Sequence, residues 1–397
     1  MSSQESPTPR LSSSPITRPD KLALGRPWGD EYEIETPGRS IERLASKTGC
    51  LISTTYGADF ERIPSAEKEN HMNRSTDSRE ADSASAPLAP GRALRLQAYG
   101  GPESLTVDSV SAPEPGPGQV LVQVKAAGVN GLDWKIREGY LRNIFKLELP
   151  ATLGIEMAGV VLRTGPGVTG LKPGDRVMAA LGGVGAYADH LVINAEKLVL
   201  TPSVLSDVEA AAIPVAAMTA WHVIQAADFD LSGRRVLIHG AAGGVGGFAV
   251  QFAKAAGATV YATASTNSLP HVRALGADEV IDYRQQTFEL LVSDIDFVVD
   301  LVGGEVVDRS WALLSPGGLL VSIAATDLAA RTPPGRRGVF LSNKPDTARL
   351  AAIVQQVAAG TLTSTIGDVV GFDDLASAIE RNRTGHAPGK IVADLTR

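Results

Sequence analysis

A glycine-rich segment between Val236 and Gly247 has the residue types and spacing of a phosphate-binding turn. The apolar residues 236–238 predict a strand, and His-Gly-Ala-Ala-Gly-Gly-Val-Gly-Gly and a helical pattern follow. With so few side chains, the backbone can approach a pyrophosphate closely, and the start of the helix offers free N–H groups and about half a positive charge. The segment predicts a dinucleotide site formed by Ala241, Ala242, Gly243, Gly244, Val245 and Gly246.

The spacing departs in one place from the usual G-x-G-x-x-G fingerprint, because Ala241 stands at its first position. Alone, such a motif is a weak signal, and a glycine-rich loop that binds nothing is the alternative. The context strengthens it. Apolar residues recur at helical spacing from Phe248 to Ala256, Gly257 can end the helix, and residues 259–263 have the pattern of the next strand. A complete βαβ unit is therefore predicted.

The end of that second strand indicates which nucleotide is bound. Sites for NAD carry an acidic residue about 20 residues after the loop to bind the ribose 2′-hydroxyl. Here the strand ends with Ser265 and Thr266, whose hydroxyls leave room for a 2′-phosphate and can donate hydrogen bonds to it. NADPH is therefore the predicted cofactor. Arg273 or Arg284 could add positive charge, or both could be ordinary surface residues.

The overall composition is that of a globular protein with room for about two domains. The chain has 397 residues, of which 44% are hydrophobic, and its net charge of −7 predicts no basic surface for nucleic acid. No run approaches the ~20 apolar residues that cross a bilayer. The single cysteine, Cys50, excludes an intramolecular disulfide and a multi-cysteine zinc lobe. We expect a cytoplasmic setting and a small-molecule substrate, with neither nucleic acid nor membrane as a partner.

Three regions of the chain differ in their pattern. Residues 1–91 are dense in Ser, Pro, Glu and Arg and cannot bury enough apolar surface to become ordered, so they predict a disordered extension. Residues 92–213 contain short alternating segments separated by turns, which predict a small β-rich barrel or sandwich. In residues 214–343 helices alternate with apolar strands, which indicates a parallel, doubly wound sheet. Residues 344–397 are expected to return to the β-rich domain.

Several motifs, in this order along the chain, resemble those of the medium-chain dehydrogenase/reductase superfamily, in its zinc-independent, quinone-oxidoreductase-like branch. They are AGVNGLDWK at 127–135, LGIEMAGVV at 153–161, LKPGDRV at 171–177, the glycine loop, LGADEVIDY at 275–283 and GKIV at 389–392. The resemblance implies an α/β protein with a GroES-like β-rich catalytic domain, residues 92–213 and 344–397. Inserted into it is a Rossmann domain for NADP(H), residues 214–343. A homodimer is implied by the resemblance alone.

The same resemblance indicates whether a zinc ion is expected. Zinc-dependent relatives have a Cys where this chain has Asn130 and a His where it has Ile155. An amide and an aliphatic side chain do not replace a thiolate and an imidazole as zinc ligands. No histidine of the chain stands in metal-ligand spacing with another His or Cys. We therefore expect no zinc, and Glu156, which then has no ligand to support, is expected to form an ion pair or a hydrogen bond.

A hydride donor without a metal requires an acceptor that is already activated, such as a quinone or the C=C bond of an enone, enal or enoyl group. Negative charge then develops on the carbonyl oxygen, and a donor or a cation must stabilise it before a proton arrives. Lys135 is a candidate to stabilise this charge or to relay the proton, because a lysine beside Trp134 in a partly dry cleft can have a lower pKa than in water. Tyr140 is a candidate acid. Asp133 is predicted to orient Lys135 or to cap a turn. Each has an ordinary alternative as a surface or packing residue.

The resemblance also implies contacts to the cofactor. Asn130 is expected to position the nicotinamide or its ribose, and Thr219 to contact a cofactor phosphate. Tyr283 is expected to flank the adenosine phosphate, and Lys390 to lie near the nicotinamide pocket. The expected activity is NADPH-dependent, zinc-free reduction of quinones or activated alkenes. The alternatives are a non-catalytic NADPH-binding protein on the same fold and a zinc-free alcohol dehydrogenase.

Overall fold

A computed structural model describes residues 88–342, 344–385 and 388–397. The predicted disorder of residues 1–91 lies outside the described residues up to position 87. Gly91 already begins the first strand, one residue before the predicted start of the β-rich region. None of the helices in the described part of the chain is long and apolar enough to cross a membrane.

The described residues form sixteen strands and nine α-helices. The strands are β1 (Gly91–Leu96), β2 (Leu105–Val110), β3 (Gln119–Val129), β4 (Ala151–Thr152), β5 (Glu156–Thr164), β6 (Arg176–Ala180), β7 (His190–Asn194), β8 (Val199–Leu200), β9 (Arg235–His239), β10 (Thr259–Ala264), β11 (Glu279–Asp282), β12 (Ile295–Asp300), β13 (Leu314–Ser322), β14 (Arg337–Phe340), β15 (Ile366–Gly371) and β16 (Lys390–Asp394). The α-helices are α1 (Gly131–Arg137), α2 (Asp207–Ala211), α3 (Pro214–Gln225), α4 (Gly244–Ala255), α5 (Leu269–Ala274), α6 (Glu305–Ser310), α7 (Leu328–Arg331), α8 (Thr347–Ala358) and α9 (Leu375–Arg383).

The β-rich part is built around the long strand β3. A seven-stranded sheet runs in the order β15-β16-β3-β5-β6-β8, with β7 also paired to β3, and a second sheet has the order β2-β1-β4. Val120, Leu121 and Val122 of β3 are all fully buried, as expected for a strand with neighbours on both edges and cover on both faces. Because β15 and β16 belong to this sheet, the end of the chain does return to the β-rich part.

The nucleotide-binding part is a six-stranded parallel sheet in the order β11-β10-β9-β12-β13-β14. The strand order reverses between β9 and β12, and in such sheets ligands bind outside the carboxyl ends of the strands at this switch point. Residues 236–238 of β9 are fully buried, which is why the strand reads as an uninterrupted apolar run. The predicted fold class, a GroES-like β-rich domain with a doubly wound Rossmann sheet, is confirmed. The boundaries at 213/214 and 343/344 stay predictions.

Two segments contain elements that the sequence patterns did not predict. Residues 329–340 contain the end of α7 and the edge strand β14. β14 is only four residues long and pairs on one side, so it lacks the strong apolar pattern of an inner strand. Residues 131–137 form α1, since the Asn130 N–H donates to the Asp133 carboxylate at 2.7 Å and closes the start of a helix.

Candidate cofactor and substrate site

The glycine loop makes a tight turn after β9. Gly240 has a φ of +75°, a conformation that favours glycine, and its carbonyl accepts the N–H of Gly243 at 3.1 Å. A Cβ atom on Gly246 would lie 2.2 Å from the Gly240 oxygen and 2.7 Å from Cα of Ala241. Only glycine fits at position 246, and the close approach of backbone to backbone there sets the angle at which α4 leaves the turn.

The start of α4 fits the diphosphate of a dinucleotide. The first helical hydrogen bond is that of the Gly247 N–H to the Gly243 oxygen, at 2.8 Å. The N–H groups of Gly244, Val245 and Gly246 therefore remain available, as at the beginning of any helix. These donors and the positive end of the helix dipole suit an anion.

The last strand of the β-rich sheet lies directly against this loop. The N–H of Gly389 donates to the Ala242 oxygen at 2.9 Å, immediately before β16 begins. A Cβ on Gly244 would lie 3.3 Å from both Cβ and Cδ of Lys390. The lysine side chain therefore runs past the N-terminus of α4, so the two sheets meet at the predicted phosphate site.

The ammonium of Lys390 is held in a buried cluster. Ile391 of β16 pairs with Val129 of β3, so Lys390 and Asn130, the next residues along each strand, lie opposite each other. Lys390 donates to Oδ1 of Asn130 and forms an ion pair with Oε1 of Glu156. The Lys390 side chain is 7% exposed and that of Glu156 is fully buried. These contacts use two of the three N–H bonds of the ammonium.

Glu156 is fixed by further donors. Its Oε1 accepts from Nδ2 of Asn130 at 2.9 Å, and its Oε2 accepts the N–H of Val215 at 2.7 Å, in the first turn of α3. The positive end of α3 stabilises the carboxylate in addition. A Cβ on Gly128 would lie 2.3 Å from Oε1 of Glu156, so the cluster needs glycine there. Glu156 makes both interactions that the sequence left open, an ion pair and hydrogen bonds.

Asp133 faces the interior rather than Lys135. It is fully buried, and its Oδ2 accepts from the Asn130 N–H and from the Tyr187 hydroxyl, at 2.7 and 2.6 Å. Burial raises the pKa of Asp133 to about 6, although the Tyr187 hydroxyl and the Asn130 N–H favour the charged form. Of its two predicted roles, the structure shows the cap at the start of α1. The Tyr187 hydroxyl, which lies shortly before β7 in the chain and was not predicted from the sequence, holds this carboxylate in place.

Lys135 and Tyr140 gather around Trp134. Nζ of Lys135 lies 5.6 Å from the Trp134 ring, and the Tyr140 ring meets the same indole edge to face at 6.0 Å. Partial burial lowers the pKa of Lys135, as predicted for a lysine beside this tryptophan. Tyr140 is 71% exposed. The catalytic roles of Lys135 and Tyr140 stay predictions.

At the far end of β10, the two predicted hydroxyls have different partners. Oγ of Ser265 lies 3.1 Å from Oγ of Ser268, and the Thr266 hydroxyl donates to Asp282 at 2.5 Å. The expectation of two free hydroxyl donors is therefore too simple, because the Thr266 proton is already used. Sequence reasoning missed Asp282, which β11 brings beside β10 by register with Ala264.

The remaining predicted groups lie near these elements. Tyr283 is half exposed and directly follows β11, and the guanidinium of Arg284 lies 6.0 Å from its ring. Arg273 is exposed on α5. Thr219 is buried on α3, one turn after Ala216, whose Cβ lies 3.7 Å from the Cβ position of Gly244. Within the described ranges, no three His, Cys, Asp or Glu side chains are grouped so that they could hold a metal ion.

A doubly wound sheet whose glycine loop faces a β-rich sheet across a buried polar cluster defines a two-part, dinucleotide-dependent dehydrogenase or reductase. Two family models match the chain: "Alcohol dehydrogenase GroES-like domain" over residues 116–203 and "Zinc-binding dehydrogenase" over residues 275–392. The chain belongs to the medium-chain dehydrogenase/reductase superfamily, in its quinone-oxidoreductase-like branch, which confirms the predicted resemblance.

Individual relatives agree with this placement. The 2-methylene-furan-3-one reductase of Solanum lycopersicum is 36% identical over 306 residues, covering 74% of this chain and 76% of that protein. The chloroplastic NADPH-dependent alkenal/one oxidoreductase of Arabidopsis thaliana is 35% identical, covering 74% and 77%. The solved quinone oxidoreductase of Coxiella burnetii superposes with a TM-score of 0.73 at 30% identity, covering 77% and 99%.

Proposed function

We propose that this protein is an NADPH-dependent oxidoreductase that reduces a quinone or the activated C=C bond of an enone, enal or enoyl compound, without a metal ion. The observation that carries the proposal is the contact between the glycine loop and the Lys390, Asn130 and Glu156 cluster. A site for the cofactor diphosphate and a buried cation are thereby adjacent. The names of the tomato and Arabidopsis relatives, a furanone reductase and an alkenal/one oxidoreductase, support this substrate class.

The residues present fit NADPH. The free N–H groups at the start of α4 would hold the diphosphate. Ser265 at the end of β10, with Tyr283 and Arg284 beside it, would receive the 2′-phosphate. The bound cofactor would supply a hydride. Asn130 and Lys390, which lie against the glycine loop, would face the nicotinamide half.

The chain itself must stabilise the negative charge that the acceptor gains. Lys390 has one N–H bond left after Asn130 and Glu156. Its ammonium is fixed by Asn130, directly after β3, and by Glu156 of β5, so it needs little reorganisation to meet an oxygen atom. Lys135 and Tyr140 are proposed to deliver the proton, since burial favours the neutral form of Lys135 and so brings its titration nearer to neutral pH.

The donor set does not fit a catalytic zinc ion. Asn130 offers an amide, and Ile155 offers no ligand atom. The Lys390 ammonium between Asn130 and Glu156 would repel a second cation. We therefore propose a metal-free site. Elemental analysis of the purified protein should show less than about one tenth of an equivalent of zinc, whereas one equivalent that survives dialysis against a chelator would refute this part of the proposal.

The deciding experiment is turnover on a panel of quinones, enones and enals with NADPH and with NADH, followed by the loss of nicotinamide absorbance. We expect turnover of several activated acceptors, with kcat/KM higher for NADPH. Saturated aldehydes and simple alcohols serve as controls, because they need an electrophile that this site lacks. Tight NADPH binding without turnover of any acceptor would refute the enzyme proposal and favour a cofactor-binding protein.

A further inference from the structure

A buried carboxylate lies at the carboxyl end of the parallel sheet, outside the residues assigned above. Asp300, the last residue of β12, is fully buried. Its Oδ1 accepts the N–H groups of Val302 and Gly303 at 3.1 and 2.9 Å, and its Oδ2 accepts from the Ser322 hydroxyl at 2.5 Å and from Gly303 at 3.2 Å. These donors all belong to the ends of β12 and β13 or to the loop after β12.

The partner serine ties down the neighbouring loop. Ser322 is the last residue of β13, and while it donates to Asp300 its Oγ accepts the N–H groups of Ala324 and Ala325 at 3.1 and 3.0 Å. One aspartate and one serine thus hold both loops, residues 301–304 after β12 and residues 323–326 after β13. The loops also touch, because a Cβ on Gly303 would lie 3.1 Å from Cβ of Ala324.

These loops border the predicted cofactor crevice. Strand β12 is adjacent to β9 across the switch point. Cγ2 of Val302 lies 3.1 Å from the position that a Cβ on Gly240 would take, so the first loop abuts the glycine loop. The Val302 side chain is nevertheless 55% exposed at this place. A dinucleotide spans the crevice at the switch point, with its second half over β12 and β13.

We propose that Asp300 and Ser322 are positioning residues that set the two loops against which the nicotinamide half of the cofactor docks. The inference rests on the proposed function. Its physical basis is that a carboxylate held only by neutral N–H and O–H groups keeps those donors in place strongly, since hydrogen bonds to a charged acceptor are about twice as strong as neutral ones. The loops are therefore in place before the cofactor arrives, which lowers the cost of aligning the nicotinamide with the acceptor.

The chain offers a matched control for a test. Oγ of Ser315 donates to Oδ1 of Asp296 at 3.2 Å, which is also a serine to aspartate bond between β13 and β12, but at the amino ends of the two strands. Ser322→Ala and Ser315→Ala therefore remove the same kind of bond from the same strands at opposite edges of the sheet. Ser322→Thr keeps the hydroxyl and serves as the conservative variant.

The readouts separate the two halves of the cofactor. Binding of NADPH is compared with binding of 2′-phospho-ADP-ribose, which lacks the nicotinamide, and kcat is measured on an enone accepted by the wild type. For Ser322→Ala we expect about tenfold weaker NADPH binding and a loss in kcat of about tenfold or more. Binding of 2′-phospho-ADP-ribose should stay within about twofold of the wild-type value, which also shows that the variant is folded. Ser315→Ala should match the wild type, and Ser322→Thr should regain most of the lost activity.

Two results would overturn the inference. If Ser322→Ala behaves like Ser315→Ala, the bond does not position the site. If it weakens 2′-phospho-ADP-ribose as much as NADPH, its effect is general and not specific to the nicotinamide half. A wild-type protein that binds no NADPH would refute the proposed function and this inference with it, and it would be recognised before any variant is made.

Discussion

Replacing Lys390 by methionine removes the cation from the buried cluster and leaves its carboxylate behind. Glu156 would keep two donors, Nδ2 of Asn130 and the N–H of Val215, but would lose its only partner of opposite charge in the cluster. Removing one member of a buried ion pair costs about 3–5 kcal/mol. Because two donors remain, we expect the free energy of unfolding to fall by about 3 kcal/mol, the lower end of this range.

A second substitution separates stability from function. In the double variant Lys390→Met with Glu156→Gln, neither member of the buried ion pair is charged, and we expect the free energy of unfolding to return to within about 1 kcal/mol of the wild type. NADPH binding and turnover should not return, since the ammonium is still missing. The loss of a charged hydrogen bond at the site corresponds to a decrease of about tenfold or more in affinity or rate.

The assay is urea unfolding followed by far-UV circular dichroism, together with NADPH titration and kcat for an enone. A loss below about 1 kcal/mol in the single variant would contradict the buried pair as described. Full recovery of NADPH turnover in the double variant would show that Lys390 is only structural. Glu156→Gln alone serves as the matched control for the glutamine itself.

Three further predictions concern the cofactor loop and its surroundings. Ser265→Asp should weaken NADPH binding by about tenfold or more through repulsion of the 2′-phosphate while changing NADH binding little, and equal losses would contradict the placement of that phosphate. Gly246→Ala should weaken NADPH binding at least about tenfold in a fluorescence titration, because its Cβ would lie 2.2 Å from the Gly240 oxygen; wild-type affinity would refute the tight turn. Burial lowers the pKa of His239 to about 4 from its ordinary 6.5, so the stability it contributes is complete above pH 6.5 and is lost as the pH falls towards 4. Between pH 7 and 4.5 the wild type should lose about 2 kcal/mol more in the free energy of unfolding than His239→Gln, and equal losses would contradict the shift.

Most of the fold could be predicted from local sequence patterns. The strand β9, the glycine turn and helix α4 are contiguous in sequence, and each has its own signal: a buried apolar run, a segment without side chains and a 3.6-residue repeat. The alternating pattern of residues 120–126 lies within β3, and the apolar residues that recur from 347 to 358 form α8. The edge strand β14 and the short helix α1 were missed because their patterns are brief and their stability comes from neighbours.

The site was only partly predictable, because its contacts join distant positions. Lys390 meets Asn130 across 260 positions of sequence, and a single sequence carries no signal of that pairing. The hydrogen bond between Thr266 and Asp282 likewise depends on the register of β10 and β11. It alters the hydrogen bonding that the end of β10 alone would predict. Candidate residues could be identified from their types, but which of them form a hydrogen bond or an ion pair with each other depends on the register of the sheets.

The Lys390 cluster places one spatial constraint on four separate motifs. Gly128, in the first motif, leaves room for both members of the ion pair, since a Cβ there would lie 2.3 Å from Oε1 of Glu156 and 2.8 Å from Cε of Lys390. Gly244, in the glycine loop, leaves room for the stem of the same lysine, which itself stands in the last motif. Both glycines adjoin the side chain of one buried lysine, one on the β-rich sheet and one at the start of α4. We therefore propose two functions for the glycine loop: its free N–H groups would hold the cofactor diphosphate, and its lack of side chains admits the lysine that connects that site to Asn130.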